Sequence, residues 1–209
     1  TALTINANDT LNVGANSVNA TNITIATNAA LTLGSGSLTG VINGASAGVG
    51  SVNLNSNNTI ASGTFLGSSA GNGLAAVNVG NSATINANES IKASTVTING
   101  SLILAANKSI TGNVSLGASG SFTINSGSSI SGTINGGGSM NIASGITYNT
   151  NSNIGNSSAL ALISVGANST LNAATANSAI NATVISLNSG SIFRLGTAAF
   201  TGTVQGATN

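Results

Sequence analysis

The two carboxylates of this chain, Asp9 and Glu89, stand in nearly identical octapeptides, TINANDTL from Thr4 and TINANESI from Thr84. They are the only acidic residues among 209. Two carboxylates can act as acid and base on a glycosidic bond when they lie roughly 5 to 10 Å apart. The octapeptides can also be two acceptor sites for a glycan, or two copies of one structural turn. The choice depends on the elements that position the acids.

A hydrolase motif, G-x-S-x-G, occurs at residues 44–48 and 67–71. Its serine needs a histidine base and a strand-to-helix turn, and the chain contains no His. We therefore predict flexible loops of small residues at both places.

Metal and phosphate motifs are equally unsupported. The chain has no Cys, which removes disulfides and thiolate ligands. The GGG stretch at Gly136 lacks the Asp of a calcium-binding β-roll, and no Lys follows a Gly as in a Walker loop. The sequence predicts no catalytic, cofactor-binding or metal-binding residue, and a protein that is not an enzyme.

The composition excludes several further classes of protein. Charged residues make up 2% of the chain and the net charge is +1, so no basic field is available to attract nucleic acid. A mean hydropathy of +0.36 and evenly spaced Ile, Leu and Val argue against disorder. A transmembrane helix needs about 20 consecutive apolar residues, and even the longest apolar runs here, such as LILAA and ALALI, are far shorter. We predict a folded chain with no membrane-spanning segment.

An apolar–polar–apolar triplet recurs about every 23 residues, a spacing typical of solenoid repeats. The triplets start at Leu3, Ile23, Val52, Val77, Val96, Val114, Met140, Ile163 and Ile185. A second apolar position follows each triplet, at Leu11, Leu31, Ile60, Ile85, Leu102, Phe122, Ile146, Leu171 and Ile192. A third follows at Val18, Leu38, Phe65, Ile91, Ile110, Ile130, Ile154, Ile180 and Phe200. Gly, Asn and Ser cluster between these positions, as turns require.

These observations predict an all-β fold, a single-stranded parallel β-helix (β-solenoid) of about nine coils with three short strands each. One coil cannot bury its apolar face alone, whereas stacked coils place equivalent strands about 4.8 Å apart. One solenoid domain covers residues 1–209, either as a segment of a longer repeat protein or as a polymerising subunit. The 29-residue step from Ile23 to Val52 and the stretch FLGSSAGNG after Thr64 indicate external loops.

The acids also belong to N-x-[ST] triplets, which a glycosylating machinery can modify. The recurring frame N-x-[ST]-[IL] is explained without a sugar by an Asn turn that leads into a strand. We interpret both octapeptides as one strand–corner–strand unit with the acid at the outward position of the corner, and we expect Asn residues at equivalent corners to form amide ladders. The repeat register separates the two acids by three rises, about 14 Å, which argues against an acid–base pair. NESI at 88–91 and NKSI at 107–110 precede the third strand of consecutive coils. We therefore predict that Glu89 and Lys108 stack about 5 Å apart as an exposed ion pair worth less than about 1 kcal/mol.

The Asn, Gly, Ser and Thr-rich coils resemble a known class of surface protein. The clearest run is TVTINGSLILAANKSITGNVSLGASGSFTINSG, residues 95–127. It resembles passenger segments of bacterial autotransporters and related β-helix adhesins, with a texture similar to rickettsial outer-membrane surface antigens. The resemblance implies a right-handed parallel β-helix exported to the bacterial cell surface, and it supplies no functional residue.

The expected function is a non-enzymatic extracellular rod that displays, spaces or adheres. Its partners would be a host or neighbouring-cell surface, or copies of itself joined end to end. The second hypothesis is a self-assembling filament, because solenoid ends without polar caps leave strand edges open to other chains. Ice binding is less favoured because TVT at Thr95 is an isolated copy. Carbohydrate binding is less favoured because the chain has only four Phe and one Tyr.

Overall fold

A computed structural model describes residues 1–68, 71–173 and 179–206, and they form an all-β solenoid of parallel strands. No helix long and apolar enough to cross a membrane occurs among these residues. The strands are β1 (Ala2–Ile5), β2 (Thr10–Gly14), β3 (Val18–Ile25), β4 (Ala30–Leu33), β5 (Leu38–Gly44), β6 (Ser51–Leu54), β7 (Asn58–Ile60), β8 (Phe65–Leu66), β9 (Leu74–Val79), β10 (Thr84–Ala87), β11 (Ile91–Ile98), β12 (Ser101–Leu104), β13 (Ser109–Leu116), β14 (Ser121–Ile124), β15 (Ser129–Ser131), β16 (Ile134–Gly136), β17 (Ser139–Ile142), β18 (Thr147–Asn149), β19 (Leu160–Val165), β20 (Thr170–Ala173), β21 (Ile180–Leu187), β22 (Ile192–Leu195) and β23 (Phe200–Gly206).

Inward side chains of successive turns stack in rows, which form the core. The longest row, row 3, gains one residue per turn and shows that the rod has about ten turns. Its members are Leu11, Leu31, Val52, Val77, Val96, Val114, Ile134, Ile154, Ile180 and Phe200. The eight between the first and last residues of this row are buried. A stack of this kind has no core centre, since each turn buries only its two neighbours.

Four further rows mark the remaining strand positions, and companion rows two residues further along each strand run beside them, such as Leu33, Leu54, Val79, Ile98 and Leu116. Row 1 contains Val18 and Leu38. Row 2 contains Leu3, Ile23, Ile42, Leu66, Ile91, Ile110 and Ile130. Row 4 contains Ile85, Leu102, Phe122, Met140, Ile163, Ile185 and Val204. Row 5 contains Tyr148, Leu171 and Phe193.

Each turn uses three of these rows, and the set changes twice along the rod. The first turns run through rows 2, 3 and 1. From β7 onward row 4 takes the place of row 1 in that order, and from β18 onward row 5 takes the place of row 2. The chain order at the C-terminal end is therefore 5, 3, 4, which corresponds to 2, 3, 1 at the N-terminal end.

Some strands bend and serve two sides of the rod. The pairing register slips by one residue between Asn19 and Asn22 in β3, and similar slips occur in β11 and β21. Gly112, at the bend of β13, has φ +135°, and a Cβ there would lie 1.7 Å from the Ala93 carbonyl oxygen of the turn below. Only a residue without a side chain fits so close an approach.

The predicted stacking of the coils is correct locally and wrong at two junctions. Val52, Val77, Val96 and Val114 stack as predicted, but Val52 lies on Leu31 rather than on Ile23. The 29-residue step contains the row 2 residue Ile42 as well as a loop, which accounts for the tenth turn. The second error lies after Val114, whose next neighbour is Ile134 rather than Met140. The strands of all sides have the same pattern, so spacing alone could not assign a strand to its side.

Candidate functional site

The ion pair between Glu89 and Lys108 is present and links adjacent turns of the solenoid. The Lys108 Nζ lies 2.9 Å from the Glu89 Oε2, and the Gly63 backbone N–H donates to Oε1 at 3.0 Å. Ser90 and Ser109 continue the same register, with Oγ atoms 3.2 Å apart. Three successive turns are therefore joined through one carboxylate, which confirms the predicted stacking of these residues.

This carboxylate is better shielded than an exposed ion pair. The side chains of Glu89 and Lys108 are 13% and 27% exposed. The pKa of Glu89 lies below its usual value of 4.5, chiefly because the Gly63 N–H donates to the carboxylate and secondly because the Lys108 ammonium does so. Burial opposes this shift. The Glu89 carboxylate is consequently ionised at neutral pH, and each of its oxygens has a hydrogen-bond partner. This arrangement suits a structural link and not a general acid.

Asp9 and Glu89 do not form a pair. Asp9 is exposed at the first turn, between rows 2 and 3, whereas Glu89 precedes Ile91 in row 2 of the fifth turn. Three to four rises separate the two acids by roughly 14 to 19 Å along the axis. This separation exceeds the spacing of glycosidase carboxylates, and the two acids therefore carry no shared chemistry.

The two nearly identical octapeptides also differ in backbone structure. In the first, β1 ends at Ile5 and a turn begins at Asn6, whose carbonyl accepts from the Asp9 N–H at 3.1 Å. In the second, β10 continues to Ala87, which is fully buried. The interpretation of both as one strand–corner–strand unit is wrong in this respect.

Four-residue corners connect many of the strands, and their third residue has a left-handed backbone. Asn8, Asn28, Asn107 and Asn168 have φ between 55° and 66°, a conformation that Asn tolerates at the i+2 position of a type II turn. The predicted amide ladder at equivalent corners occurs between Asn28 and Asn8, with Nδ2 and Oδ1 3.2 Å apart.

The fourth corner residue lies against the core in several turns, which corrects its interpretation as an outward position. Ser169 is buried, and its hydroxyl donates to the Ala143 carbonyl of the preceding turn at 2.7 Å. Ser128 donates to the Ala105 carbonyl at 2.8 Å in the same way. These hydroxyls satisfy carbonyl groups that the corner would otherwise bury without a partner.

The two predicted loops pair with each other. The Gly48 N–H donates to the Gly73 carbonyl at 2.9 Å, and the Ala75 N–H donates to the Gly50 carbonyl at 2.9 Å. Ser46, the central serine of the first G-x-S-x-G match, is exposed on its loop. Ser69, its counterpart in the second match, lies outside the described residues.

Beside these loops runs a shallow groove of about 330 Å³. Its floor includes the small residues Ala93 and Gly112 at the strand bends, and Lys92 lies at one side. The Lys92 Nζ donates to the Gly71 carbonyl at 3.2 Å. The cation of this groove therefore already has a protein partner.

An open polar crevice of about 420 Å³ lies where row 4 begins. Its walls are formed by Ser35, Ser37, Asn57, Asn58, Thr59, Thr84 and Asn86. The amides face backbone groups: Asn58 Nδ2 donates to the Gly34 carbonyl at 2.6 Å, and Asn57 Oδ1 accepts from the Thr84 N–H at 2.8 Å. The crevice therefore offers neutral hydroxyl and amide groups, and its Asn57 and Asn58 amides already link adjacent turns.

The only tyrosine, Tyr148, belongs to the core and not to a binding platform. Its side chain begins row 5, and burial raises its pKa to about 12. Thr95 lies between Ala76 and Asn113 in the neighbouring turns, so the TVT triplet is not repeated beside itself.

Both ends of the rod expose strand edges and apolar side chains. Strands β1 and β2 pair on one side only, as do β22 and β23 at the other end. Leu195 and Val204 occupy inward positions above buried residues of the preceding turn, yet they are 40% and 45% exposed.

Comparison of the chain with protein-family models, with curated proteins and with solved structures gives no match.

Proposed function

We propose that this chain is a non-enzymatic structural rod of a bacterial cell surface, which displays or spaces an adhesive element. The observation that carries the proposal is row 3, an uninterrupted stack of ten inward residues from Leu11 to Phe200. Ten turns at about 4.8 Å give a rod about 45 Å long. Such a stack resists bending because backbone pairing joins successive turns through row 3 along its whole length.

The chemistry of the surface supports a structural role. Glu89 is fully engaged by Gly63 and Lys108, and Asp9 stands alone at a distant corner. Outward amides and hydroxyls link adjacent turns at several places; the Asn78 Nδ2, for example, donates to the Asn53 Oδ1 at 2.8 Å. A surface of this composition binds water without attracting charged ligands.

Immunolabelling of the bacterium that encodes the chain tests the location. Antibodies against the purified chain should label intact cells, with a periplasmic protein as the control that labels only after permeabilisation. Labelling that requires permeabilisation would contradict a surface location. Binding of fluorescent chain to host cells or to neighbouring bacteria tests adhesion separately.

A further inference from the structure

We propose that the side of the rod binds an acidic saccharide in the groove beside its two external loops, with a sugar carboxylate against Lys92. The shallow groove of about 330 Å³ adjoins a second hollow of about 200 Å³, and Lys92 and Thr111 line both. The two hollows together form the Lys92 groove. A binding site of this kind goes beyond the proposed structural role and does not depend on it.

Both external loops converge on the Lys92 groove. Insertions in a solenoid map to loops on one face, and that face is often the one that binds. Gly48 of the first loop and Gly73 of the second line the larger hollow, and Gly67 of the second loop lines the smaller one. Because the Gly48 N–H donates to the Gly73 carbonyl at 2.9 Å, the two loops form one wall.

The Lys92 side chain is held in place by the second loop. Its stem lies against Gly73, where an added Cβ would be 3.2 Å from the Lys92 Cγ. Its Nζ donates to the Gly71 carbonyl at 3.2 Å, which fixes the ammonium without neutralising its charge. A cation that is already positioned loses less conformational freedom when it binds a carboxylate than a free lysine does.

The charge of Lys92 selects an anion. Among the described residues that line either hollow there is no Asp or Glu, and Glu89 is already bound by Lys108 and by the Gly63 N–H. An ammonium has three donors, so one bond to Gly71 leaves two for a carboxylate. Because a net charge of +1 gives no long-range attraction, recognition depends on contacts within the groove.

The other walls of the smaller hollow suit a sugar ring better than an inorganic anion. Phe65 precedes the buried Leu66 in β8, so its ring faces outward, where it is half-buried in the wall. An aromatic ring of this kind packs against the C–H face of a pyranose. The Ser90 and Ser109 hydroxyls, with Oγ atoms 3.2 Å apart, and the exposed Thr111 offer donors and acceptors to sugar hydroxyls.

The larger hollow gives room for a further sugar unit. Its floor contains Ala93 and Gly112, and an added Cβ at Gly112 would lie 1.7 Å from the Ala93 carbonyl oxygen. The floor therefore stays flat, since no side chain fits at this bend. A short acidic oligosaccharide can lie along the groove with one ring on Phe65 and a carboxylate at Lys92, where the two hollows meet.

NMR titration of isotope-labelled chain tests the site, with tetragalacturonate as the acidic probe and cellotetraose as the neutral probe of equal length. Tetragalacturonate should shift the amide signals of Phe65, Lys92 and Thr111 and bind at least tenfold more tightly than cellotetraose. Lys92→Met keeps the apolar stem but removes the charge, and it should weaken binding at least tenfold. Arg194→Met removes the same charge from an exposed residue of β22, and this matched control should bind like wild type.

Phe65→Leu tests the ring separately and should weaken binding at least threefold, with circular dichroism to verify that each variant folds. Equal affinity for the two tetrasaccharides, or equal weakening by Lys92→Met and Arg194→Met, would overturn the contact between the carboxylate and Lys92. Tetraglutamate that binds at the same signals as tightly as tetragalacturonate would overturn the saccharide class in favour of an acidic peptide. Absence of saturable binding up to millimolar probe would overturn the site and leave the structural role of the rod unaffected.

Discussion

Lys108 and Glu89, one turn apart, form the ion pair of the described residues, with Nζ and Oε2 2.9 Å apart. The carboxylate is held on its other oxygen by the Gly63 N–H. A single acid therefore joins three turns at the part of the rod where row 1 has ended and row 4 has begun.

Replacing Glu89 by Gln should lower the free energy of unfolding by about 1 kcal/mol at pH 7. The pKa of Glu89 is lowered in the folded chain, so its contribution is present above the unfolded pKa and is lost as the pH falls through the folded pKa. The difference between wild type and Glu89→Gln should therefore shrink from about pH 5 downward. Urea denaturation at several pH values measures it.

Asp9→Asn is the matched control for this experiment, because it alters the other acid in the nearly identical octapeptide. Asp9 is exposed, so its replacement should change the unfolding free energy by less than about 0.5 kcal/mol. Equal effects of the two substitutions would contradict a structural role for the ion pair.

Removing the Ser169 hydroxyl should destabilise the rod by about 1 to 3 kcal/mol. Ser169 is buried, donates to the Ala143 carbonyl at 2.7 Å and accepts from the Ile146 N–H at 3.2 Å. Ser169→Ala leaves both backbone groups without this partner. Ser189→Ala, at an exposed position of the next corner, should be nearly neutral in the same thermal and urea assays, and a neutral Ser169→Ala would argue against the buried role.

Adding one methyl group at the bend of β13 should be severely destabilising. A Cβ at Gly112 would lie 1.7 Å from the Ala93 carbonyl oxygen, and φ is +135°. We expect Gly112→Ala to cost about 2 kcal/mol or more. Gly206→Ala is the control, because no atom lies within 4 Å of the added Cβ there. Similar melting temperatures for the two variants would mean that the bends are not in close contact.

The position of a side chain along the rod should decide how much its loss costs. Phe122 is fully buried between Leu102 and Met140 in row 4, whereas Phe193 is partly exposed in the last turn. Phe122→Ala should cost about 3 to 5 kcal/mol, and Phe193→Ala about 1 to 2 kcal/mol because less apolar surface is lost from burial. Urea denaturation compares them, and a larger effect at Phe193 would be inconsistent with the described core.

Much of the fold could be predicted because its rules are local. Period-2 alternation of apolar residues gives strands with one buried face, and Asn or Gly at the third corner residue gives the turn. The spacing of NESI and NKSI was sufficient to pair Glu89 with Lys108, because both precede strands of the same row in consecutive turns. The exclusion of an acid pair followed from the number of turns between Asp9 and Glu89.

The sides of the rod could not be predicted from the same rules. Val52 and Ile42 carry the same local pattern, and only the pairing of strands across turns shows that they belong to rows 3 and 2. Ser169 is polar, as outward corner residues usually are, yet its side chain points inward and donates a hydrogen bond to a carbonyl of the preceding turn. The signal that would have indicated this is the recurrence of small or hydroxyl residues at the fourth corner position.

The pentapeptide TINAN separates what the sequence determined from what the tertiary structure decided. By itself the sequence determined the solenoid class, the stacked apolar interior and the small number of charged or nucleophilic side chains, with no His, no Cys and two acids. The tertiary structure decided that Ala7 lies in an exposed turn whereas Ala87 lies in a buried strand. Ala87 pairs with Ile60 and Leu104 of the flanking turns, but the corner that contains Ala7 stacks against another corner, through the Asn8 N–H and the Thr27 carbonyl. Identical residues adopt different structures in the two places because the neighbouring turn to which they are hydrogen-bonded differs.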